Sequence, residues 1–211
     1  MGNQYNKKKK KYHKKRGINE NRIKIESKKE YKIIFVGESG TGAKSTLINR
    51  IMGIDFNENI NSTNSAHYES KHVDIGNKEK LILNFWDTVG QEKYRSLTNI
   101  FLKDSDCVVL GYEVIYKHTF EEIKNYWYKT VKDNLGCKLI YLVGNKIDLF
   151  DKREVSKEEA IEYAKSVNLR FFEISCKTKE GLNEFYNDLV NQILELYNAN
   201  NWKFWIIKAC D

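Results

Sequence analysis

The sequence predicts an α/β fold, a six-stranded and mostly parallel sheet with helices on both faces. Short apolar segments of the length of buried strands alternate along the chain with longer segments that have the character of helices. This alternation is typical of a parallel sheet that is covered on both sides. A glycine-rich segment separates the first strand from the first helix, and polar motifs follow later strands. Because ligands of such sheets bind beyond the carboxyl ends of the strands, these motifs are candidates for one shared site.

Strands and helices are predicted in alternation, apart from one pair of consecutive strands. Apolar runs predict strands at residues 31–36, 80–86, 107–112, 138–143 and 170–174, and a further strand is expected at 66–75, joined to the next by a turn at 76–78. Helices are expected at residues 44–52, 118–133, 156–167 and 181–198, with a short helix after a loop at 87–92. Residues 54–65 form a polar loop without a regular pattern, and a loop of that length inside a compact domain is usually functional.

The distribution of charge divides the chain. The 211 residues carry a net charge of +7, but residues 7–16 contain eight Lys and Arg residues and no acidic residue. The other 201 residues therefore sum to −1, so the basic character belongs to the tail. We expect residues 1–29 to be a disordered basic tail, residues 30–198 to be a folded domain and residues 199–211 to be a C-terminal tail. The hydrophobic content of 41% is sufficient for a large core in a domain of this size.

Several kinds of site and localisation are not expected. The cysteines, at positions 107, 137, 176 and 210, show no spacing typical of zinc ligands, and no secretory signal is evident, so we expect a reduced intracellular protein without disulfides. The four histidines share no ligand spacing and are expected at the surface. No apolar run reaches the roughly 18 residues of a transmembrane helix.

The first motif lies between the first strand and the first helix. Residues 37–46 have the sequence GESGTGAKST. Glycines let successive backbone N–H groups converge on anionic oxygens at a helix N-terminus, so this segment is a candidate phosphate-binding loop. The candidate ligand-binding residues in it are Gly37, Ser39, Gly40, Thr41, Gly42, Lys44, Ser45 and Thr46.

The phosphate-binding loop departs from its usual spacing, because Ala43 separates Gly42 from the lysine. If Ala43 is an insertion, Lys44 reaches the β- and γ-phosphates and Ser45 offers its hydroxyl to Mg²⁺. If the loop is aligned without a gap, Ala43 takes the position of the lysine and Lys44 that of the magnesium ligand, which removes the chemistry. A glycine-rich turn that binds nothing is a further alternative.

The second motif, WDTVGQE at residues 86–92, follows the third strand. Asp87, at the end of a strand, is placed to hold Mg²⁺ through water. Gly90 can offer its N–H to a γ-phosphate, and Gln91 can orient an attacking water. Three roles within five residues make an accidental strand-ending turn a poor explanation.

The third motif, GNKID at residues 144–148, follows the fifth strand. The carboxylate of Asp148 can accept both the N1 and N2 protons of guanine, which adenine cannot present, while the stem of Lys146 packs on the base. Asn145 belongs to the same turn. Taken alone, this pattern is also common in polar turns after core strands.

The fourth motif, EISCK at residues 173–177, follows the last strand. Its backbone amides are expected to approach O6 of guanine. The signal is weak by itself and gains its force from its place after the other three. The candidate residues are Ser175, Cys176 and Lys177.

In this order the four motifs resemble those of the Ras superfamily of small GTPases. Residues 86–97 and 112–120 are similar to the Rab family in particular, and the resemblance covers about residues 30–195. It implies a P-loop GTPase domain, and a GTP hydrolase that binds GTP or GDP with Mg²⁺. Such a protein is a molecular switch with slow turnover, and Rab-like members act in vesicle-mediated membrane traffic.

The resemblance also assigns roles to individual residues. Gln91 would be the catalytic residue. The loop at 54–65 should contain a threonine that senses Mg²⁺ and the γ-phosphate, and Thr63 is our candidate, with Ser65 and Ser62 as alternatives. The metal ligands would then be Ser45, Thr63 and Asp87, and the lysine and asparagine of the third motif would join Asp148 in selecting guanine.

The expected partners follow from the resemblance and from the two ends of the chain. An exchange factor, an activating protein and effectors are expected, for a monomer that is cytoplasmic and peripherally associated with Golgi, endosomal or vesicle membranes. The basic tail at residues 7–16 would bind an anionic membrane surface, at about 1 kcal/mol per basic residue. Gly2 and Cys210 are candidates for lipidation, and the aromatic segment at 202–207 could lie at a bilayer interface.

Two other functions are compatible with the sequence. Ala43 could disable the Mg²⁺-dependent chemistry and leave a pseudo-GTPase scaffold that still holds guanine. The basic tail could instead bind RNA in a nucleic-acid-binding GTPase, although no specific nucleic-acid contact is expected.

Overall fold

The computed structural model describes residues 28–38, 43–57, 67–76, 78–88, 100–133, 137 and 139–209. The predicted basic tail lies outside this part of the chain, apart from its last two residues. Among the residues that are described, no helix has the length and hydrophobicity needed to cross a bilayer.

The described residues contain one six-stranded sheet with the strand order β2-β3-β1-β4-β5-β6. The strands are β1 (Glu30–Val36), β2 (His67–Gly76), β3 (Glu79–Asp87), β4 (Cys107–Glu113), β5 (Leu139–Asn145) and β6 (Arg170–Glu173). Only the pairing of β2 with β3 is antiparallel, and the other pairs are parallel. The prediction of a mostly parallel α/β sheet is confirmed.

Four main helices connect or follow these strands within the described ranges. They are α1 (Ala43–Met52), α2 (residues 117–133), α3 (Lys157–Ser166) and α4 (Leu182–Ala209), with a short 3₁₀ turn at Phe150–Lys152. Helix α2 is composite, because a π-helical segment, Ile123–Trp127, joins the α-helical turns Lys117–Glu122 and Tyr128–Asp133.

The last helix extends beyond its predicted end near residue 198 and continues to Ala209. The sequence from 182 to 209 contains neither glycine nor proline, the residues that most strongly stop a helix. The polar stretch at 198–201 therefore does not end the helix, and residues 199–209, predicted as a tail, are helical.

The core lies on both faces of the sheet, and β1 contributes to each. Ile33 and Phe35 pack in a cluster with residues of α1 and α4. Ile34 and Val36 belong to a second cluster with α2 and α3. Successive side chains of a strand point to opposite faces, so a continuous apolar run is what a doubly covered strand requires.

Candidate nucleotide-binding site

The carboxyl ends of β1, β4 and β5 form one edge of the sheet, because these three strands are adjacent and parallel. The first and third motifs follow the two outer strands of this trio, and β4 lies between them. The second motif follows β3, on the other side of β1. The topology thus brings motifs that are distant in sequence to one edge.

The phosphate-binding loop begins where the chain passes very close to β4. Gly37 has a φ of +150°, and a Cβ atom added there would lie 2.2 Å from the carbonyl oxygen of Gly111. Any larger residue would therefore meet the backbone of the neighbouring strand, in a conformation that L-residues rarely adopt. The glycine allows the loop to leave the strand at this angle.

Lys44 is directed back toward the start of the loop. Its side chain is buried, with 7% of the residue exposed, and its ammonium donates to the carbonyl oxygens of Gly37 at 3.1 Å and Glu38 at 2.8 Å. Burial lowers the pKa of Lys44, and the nearby carboxylates of Asp87, Glu38 and Glu113 oppose that shift. The ammonium is thus held beside the candidate phosphate site.

Ser45 and Asp87 meet directly. The hydroxyl of Ser45 donates to Oδ2 of Asp87, although the two residues come from α1 and β3. The next residue, Thr88, donates its hydroxyl to the carbonyl of Phe35 at 2.6 Å, which ties the second motif to β1. Hydroxyl and carboxylate oxygens are hard donors that suit Mg²⁺, so this pair fits the metal that the sequence predicts.

The position of Ala43 bears on the alignment of the loop. Helix α1 begins at Ala43, and the residue that contacts Asp87 is Ser45 rather than Lys44. A hydroxyl of Ser45 beside Asp87 is what the alignment with an insertion predicts, and the charge of Asp87 also acts on Lys44. Thr46, also predicted in the site, is buried.

The third and fourth motifs are joined by side-chain hydrogen bonds. Asn145 is 3% exposed, and its Oδ1 accepts from the backbone N–H of Lys146 at 2.7 Å and of Cys176 at 3.1 Å. Ser175 donates its hydroxyl to Oδ1 of Asp148 at 2.6 Å. The two predicted base-binding motifs are therefore connected directly by hydrogen bonds.

Two backbone amides of the fourth motif, those of Ser175 and Cys176, donate hydrogen bonds within the protein. Ser175 donates its N–H to the carbonyl of Glu180 at 2.9 Å, and Cys176 donates to Asn145. The turn closes on itself because Gly181, with a φ of +69°, packs against the carbonyl of Glu173. In this structure Ser175 thus contacts the third motif through its side chain, and Lys177 is exposed.

One residue of this edge, Glu113, was not predicted from the sequence. It is the last residue of β4 and is fully buried, and its Oε2 lies 2.8 Å from Nζ of Lys146. Burial raises the pKa of the Glu113 carboxyl, while Lys146 acts in the opposite direction. A single acidic residue at the carboxyl end of an apolar strand was the signal that could have identified it.

Several predicted residues are not placed by the structure. These residues lie in the loops outside the described ranges, so their position relative to Lys44 and Asp87 stays a prediction. They are Ser39, Gly40, Thr41, Gly42, Thr63, Gly90 and Gln91.

Comparison with known proteins identifies the family to which this site belongs. Residues 32–195 match the Ras family. The chain belongs to the Ras family. Its relatives within that family include Ras-related protein Rab-21 of Geodia cydonium, 37% identical over 165 residues, which cover 78% of this chain and 71% of the relative.

Further relatives of this Ras-family chain are also Rab proteins. Ras-related protein Rab-13 of Bos taurus is 34% identical over 188 residues, covering 86% of this chain and 91% of the relative. Ras-related protein Rab-21 of Homo sapiens is 35% identical over 166 residues, covering 78% and 72%. The chain is a Rab-like small GTPase of membrane traffic and a GTP hydrolase, and the family does not favour the scaffold alternative. Ras-family GTPases in general bind guanine nucleotide and Mg²⁺.

Proposed function

We propose that this chain binds GTP and GDP together with Mg²⁺ through the residues described above, and that it hydrolyses GTP slowly. The observation that carries the proposal is the hydrogen bond from Ser45 to Asp87. It joins two oxygen ligands of the kind that Mg²⁺ prefers, and it does so beside the buried ammonium of Lys44. Burial of a lysine and a carboxylate at this edge is unfavourable for a loop that binds no ligand.

At the phosphate end, the chain supplies positive charge and metal ligands. The ammonium of Lys44, which donates to two carbonyl oxygens of the loop, is our candidate for the group that neutralises phosphate oxygens. Burial lowers the pKa of Lys44, and the nearby carboxylates oppose that shift. The N-terminus of α1 adds backbone N–H donors and the positive end of the helix dipole. Ser45, Thr63 and Asp87 would hold Mg²⁺, which when bound would neutralise charge on the phosphates.

At the base end, Asp148 selects guanine. The hydroxyl of Ser175 donates to one oxygen of this carboxylate and orients it. The other oxygen remains in position to accept hydrogen bonds from a base. Adenine would leave those acceptors unsatisfied, which is a strong basis for discrimination. Asn145 holds the two base-binding motifs in register.

Hydrolysis needs an oriented water, for which Gln91 is our candidate, with Gly90 donating to the γ-phosphate. An arginine supplied by an activating protein would raise the rate by roughly 10³–10⁵. We therefore propose regulation by an activating protein and an exchange factor, with effectors that bind the GTP form of a monomer.

We further propose that the basic segment at residues 7–16 attaches the protein peripherally to an anionic membrane, on Golgi, endosomal or vesicle surfaces. Each basic residue near an anionic surface contributes to the free energy of membrane binding. A lipid on Gly2 or Cys210 would add to that free energy. Sedimentation with anionic vesicles, with and without residues 1–16, tests this proposal. Retention of RNA by the same segment, without binding to vesicles, would contradict it.

The function is tested by measuring release of a fluorescent GDP with and without EDTA. We expect chelation to speed release from the wild-type chain by at least about tenfold, and Ser45→Ala to lose most of that dependence because a metal ligand is gone. Ser70→Ala is the matched control. It also loses one hydroxyl hydrogen bond, to Asn84 on the β2–β3 hairpin, and should behave as wild type. Weak GDP binding that does not depend on Mg²⁺ in the wild-type chain would overturn the proposal.

A further inference from the structure

Glu113 occupies a central place at the edge of the sheet. The strand that carries it, β4, lies between β1, which leads to the phosphate-binding loop, and β5, which leads to the base-binding motif. It pairs in register with Asn145, and its residue exposure is 0%. Burial of a carboxylate costs free energy unless its charge is paired. A fully buried glutamate at this edge therefore points to a functional role.

The carboxylate of Glu113 fixes one end of Lys146. The ammonium lies 2.8 Å from Oε2 of Glu113 and 5.8 Å from the ring centroid of Tyr116. The other end of the lysine is fixed too, because its backbone N–H donates to Asn145 and its φ is +69°. The aliphatic stem between these two ends is therefore held in one orientation.

The backbone that carries Glu113 is also fixed. Its N–H donates to Oγ1 of Thr119 at 3.1 Å, and the next residue, Val114, donates to the carbonyl of Asn145 at 3.0 Å. The contact between Glu113 and Lys146 thus joins the end of β4 to the residue that follows β5.

The charge of Glu113 also reaches the lysine of the phosphate-binding loop, Lys44. Neither carboxylate oxygen of Glu113 has a hydrogen-bond partner of good geometry among the residues that the structure describes, so the 2.8 Å contact of Oε2 with Lys146 is an ion pair. The charge of Glu113 also helps to keep Lys44 protonated. One buried carboxylate therefore acts on the lysines of both ends of the site.

We propose that Glu113 is a positioning residue of the guanine-nucleotide site, which holds the stem of Lys146 in the orientation that the base needs before the nucleotide arrives. The inference rests on the proposed function, since it assigns the stem of Lys146 to the base. Glu113 acts through Lys146. Lysine has a long flexible side chain, and a ligand that has to order it loses affinity, whereas an ordered stem avoids that loss.

The test is release of fluorescent GDP from Glu113→Gln, which keeps the shape of the side chain and removes its charge. We expect release to be about tenfold faster, a factor that matches the ordering of one long side chain. Asp188→Asn is the matched control, because it removes a carboxylate on α4 that pairs with Arg170 of β6, away from the site. Its release rate should stay within about twofold of wild type.

A double-mutant cycle with Lys146→Met distinguishes positioning from a general structural role. If Glu113 acts through Lys146, Glu113→Gln adds no further acceleration once the lysine is absent. Equal acceleration in both backgrounds would show action by another route, such as Lys44, and would overturn the inference. A wild-type release rate for Glu113→Gln would overturn it as well, while leaving the proposed function intact.

Two further results complete the test. Mg²⁺-independent weak binding by the wild-type chain would overturn the proposed function and this inference together.

If Glu113→Gln does not fold, amine acylation of nucleotide-free wild-type protein decides instead. We expect Lys146 to react several-fold more slowly than Lys165, which is exposed on α3, because its ammonium is paired with a buried carboxylate. Equal reactivity of the two lysines would overturn the inference.

Discussion

Gly37 and Gly53 both have a positive φ, but their surroundings differ. At Gly37 a Cβ atom would lie 2.2 Å from the backbone of β4, whereas at Gly53 nothing lies within 4 Å. Alanine at either position has an unfavourable backbone conformation. Only at Gly37 would it also push the strands apart.

We therefore predict that Gly37→Ala destabilises the protein by about 3 kcal/mol or more, since strain and a backbone clash add. Gly53→Ala, the matched control, should cost about 1–2 kcal/mol through strain alone. Urea unfolding of both variants in saturating GDP measures the difference. Equal losses would mean that the approach of Gly37 to Gly111 is relaxed without cost.

Individual residues also show what the sequence could and could not predict. The pairing of Ser45 with Asp87 follows from two motifs of known spacing, so the metal end could be anticipated. Glu113 belongs to none of the four nucleotide-binding motifs, and its role depends on the order of the strands, which places β4 between β1 and β5. A residue that acts through a neighbour in space cannot be found from a linear pattern.

At the level of elements, helix α3 is stabilised by its N-terminal residue. Ser156 accepts a hydrogen bond from the backbone N–H of Glu159 at 3.1 Å, which satisfies one of the N–H groups that a helix start leaves without a partner. Ser166, at the other end, donates to the carbonyl of Tyr163 within the helix.

We predict that Ser156→Ala lowers the free energy of unfolding by about 1 kcal/mol, because the cap is lost. Ser166→Ala should change it by less than about 0.5 kcal/mol, since that carbonyl already belongs to the helix. Urea midpoints of the two variants give the comparison. A larger loss for Ser166→Ala would show that the cap does not limit the stability of α3.

Elements differ in how well their patterns predict them. The start of α3 could be predicted to within a residue, because serine followed three residues later by glutamate is a capping pattern. The end of α4 could not, because the polar stretch at 198–201 resembles a tail while lacking a residue that stops a helix. The π-helical segment Ile123–Trp127 has no signature in propensity and depends on packing.

On the scale of the whole molecule, Asp188 connects the sheet with the last helix. It accepts hydrogen bonds from Tyr141 on β5 and from Arg170 on β6, each at 2.8 Å. Burial opposes its charge, but these bonds from Arg170 and Tyr141 outweigh burial, and the pKa of Asp188 lies below its usual value of 3.8. A carboxyl with a lowered pKa stabilises the fold above its unfolded pKa and loses that contribution as the pH falls.

We predict that the urea midpoint of the wild-type chain decreases between about pH 5 and pH 3, and that Asp188→Asn shows a smaller decrease. The pKa of Glu113 is shifted in the opposite direction, because burial raises it. Ionisation of Glu113 therefore lowers the free energy of unfolding as the pH rises above 4.5. Glu184→Gln, on the exposed side of the same helix, is the control and should follow the wild type. An unchanged acid dependence in Asp188→Asn would contradict the assignment.

The adjacency of β1, β4 and β5 gives the site a fixed length scale. Hydrogen-bonded strands lie about 4.8 Å apart, so two spacings set the ends of β1 and β5 about 10 Å apart. The sheet thereby selects its ligand by length, because only a molecule of matching length can contact the loops at both ends at once. Ala43 lies after β1, so its presence in the loop leaves this distance unchanged.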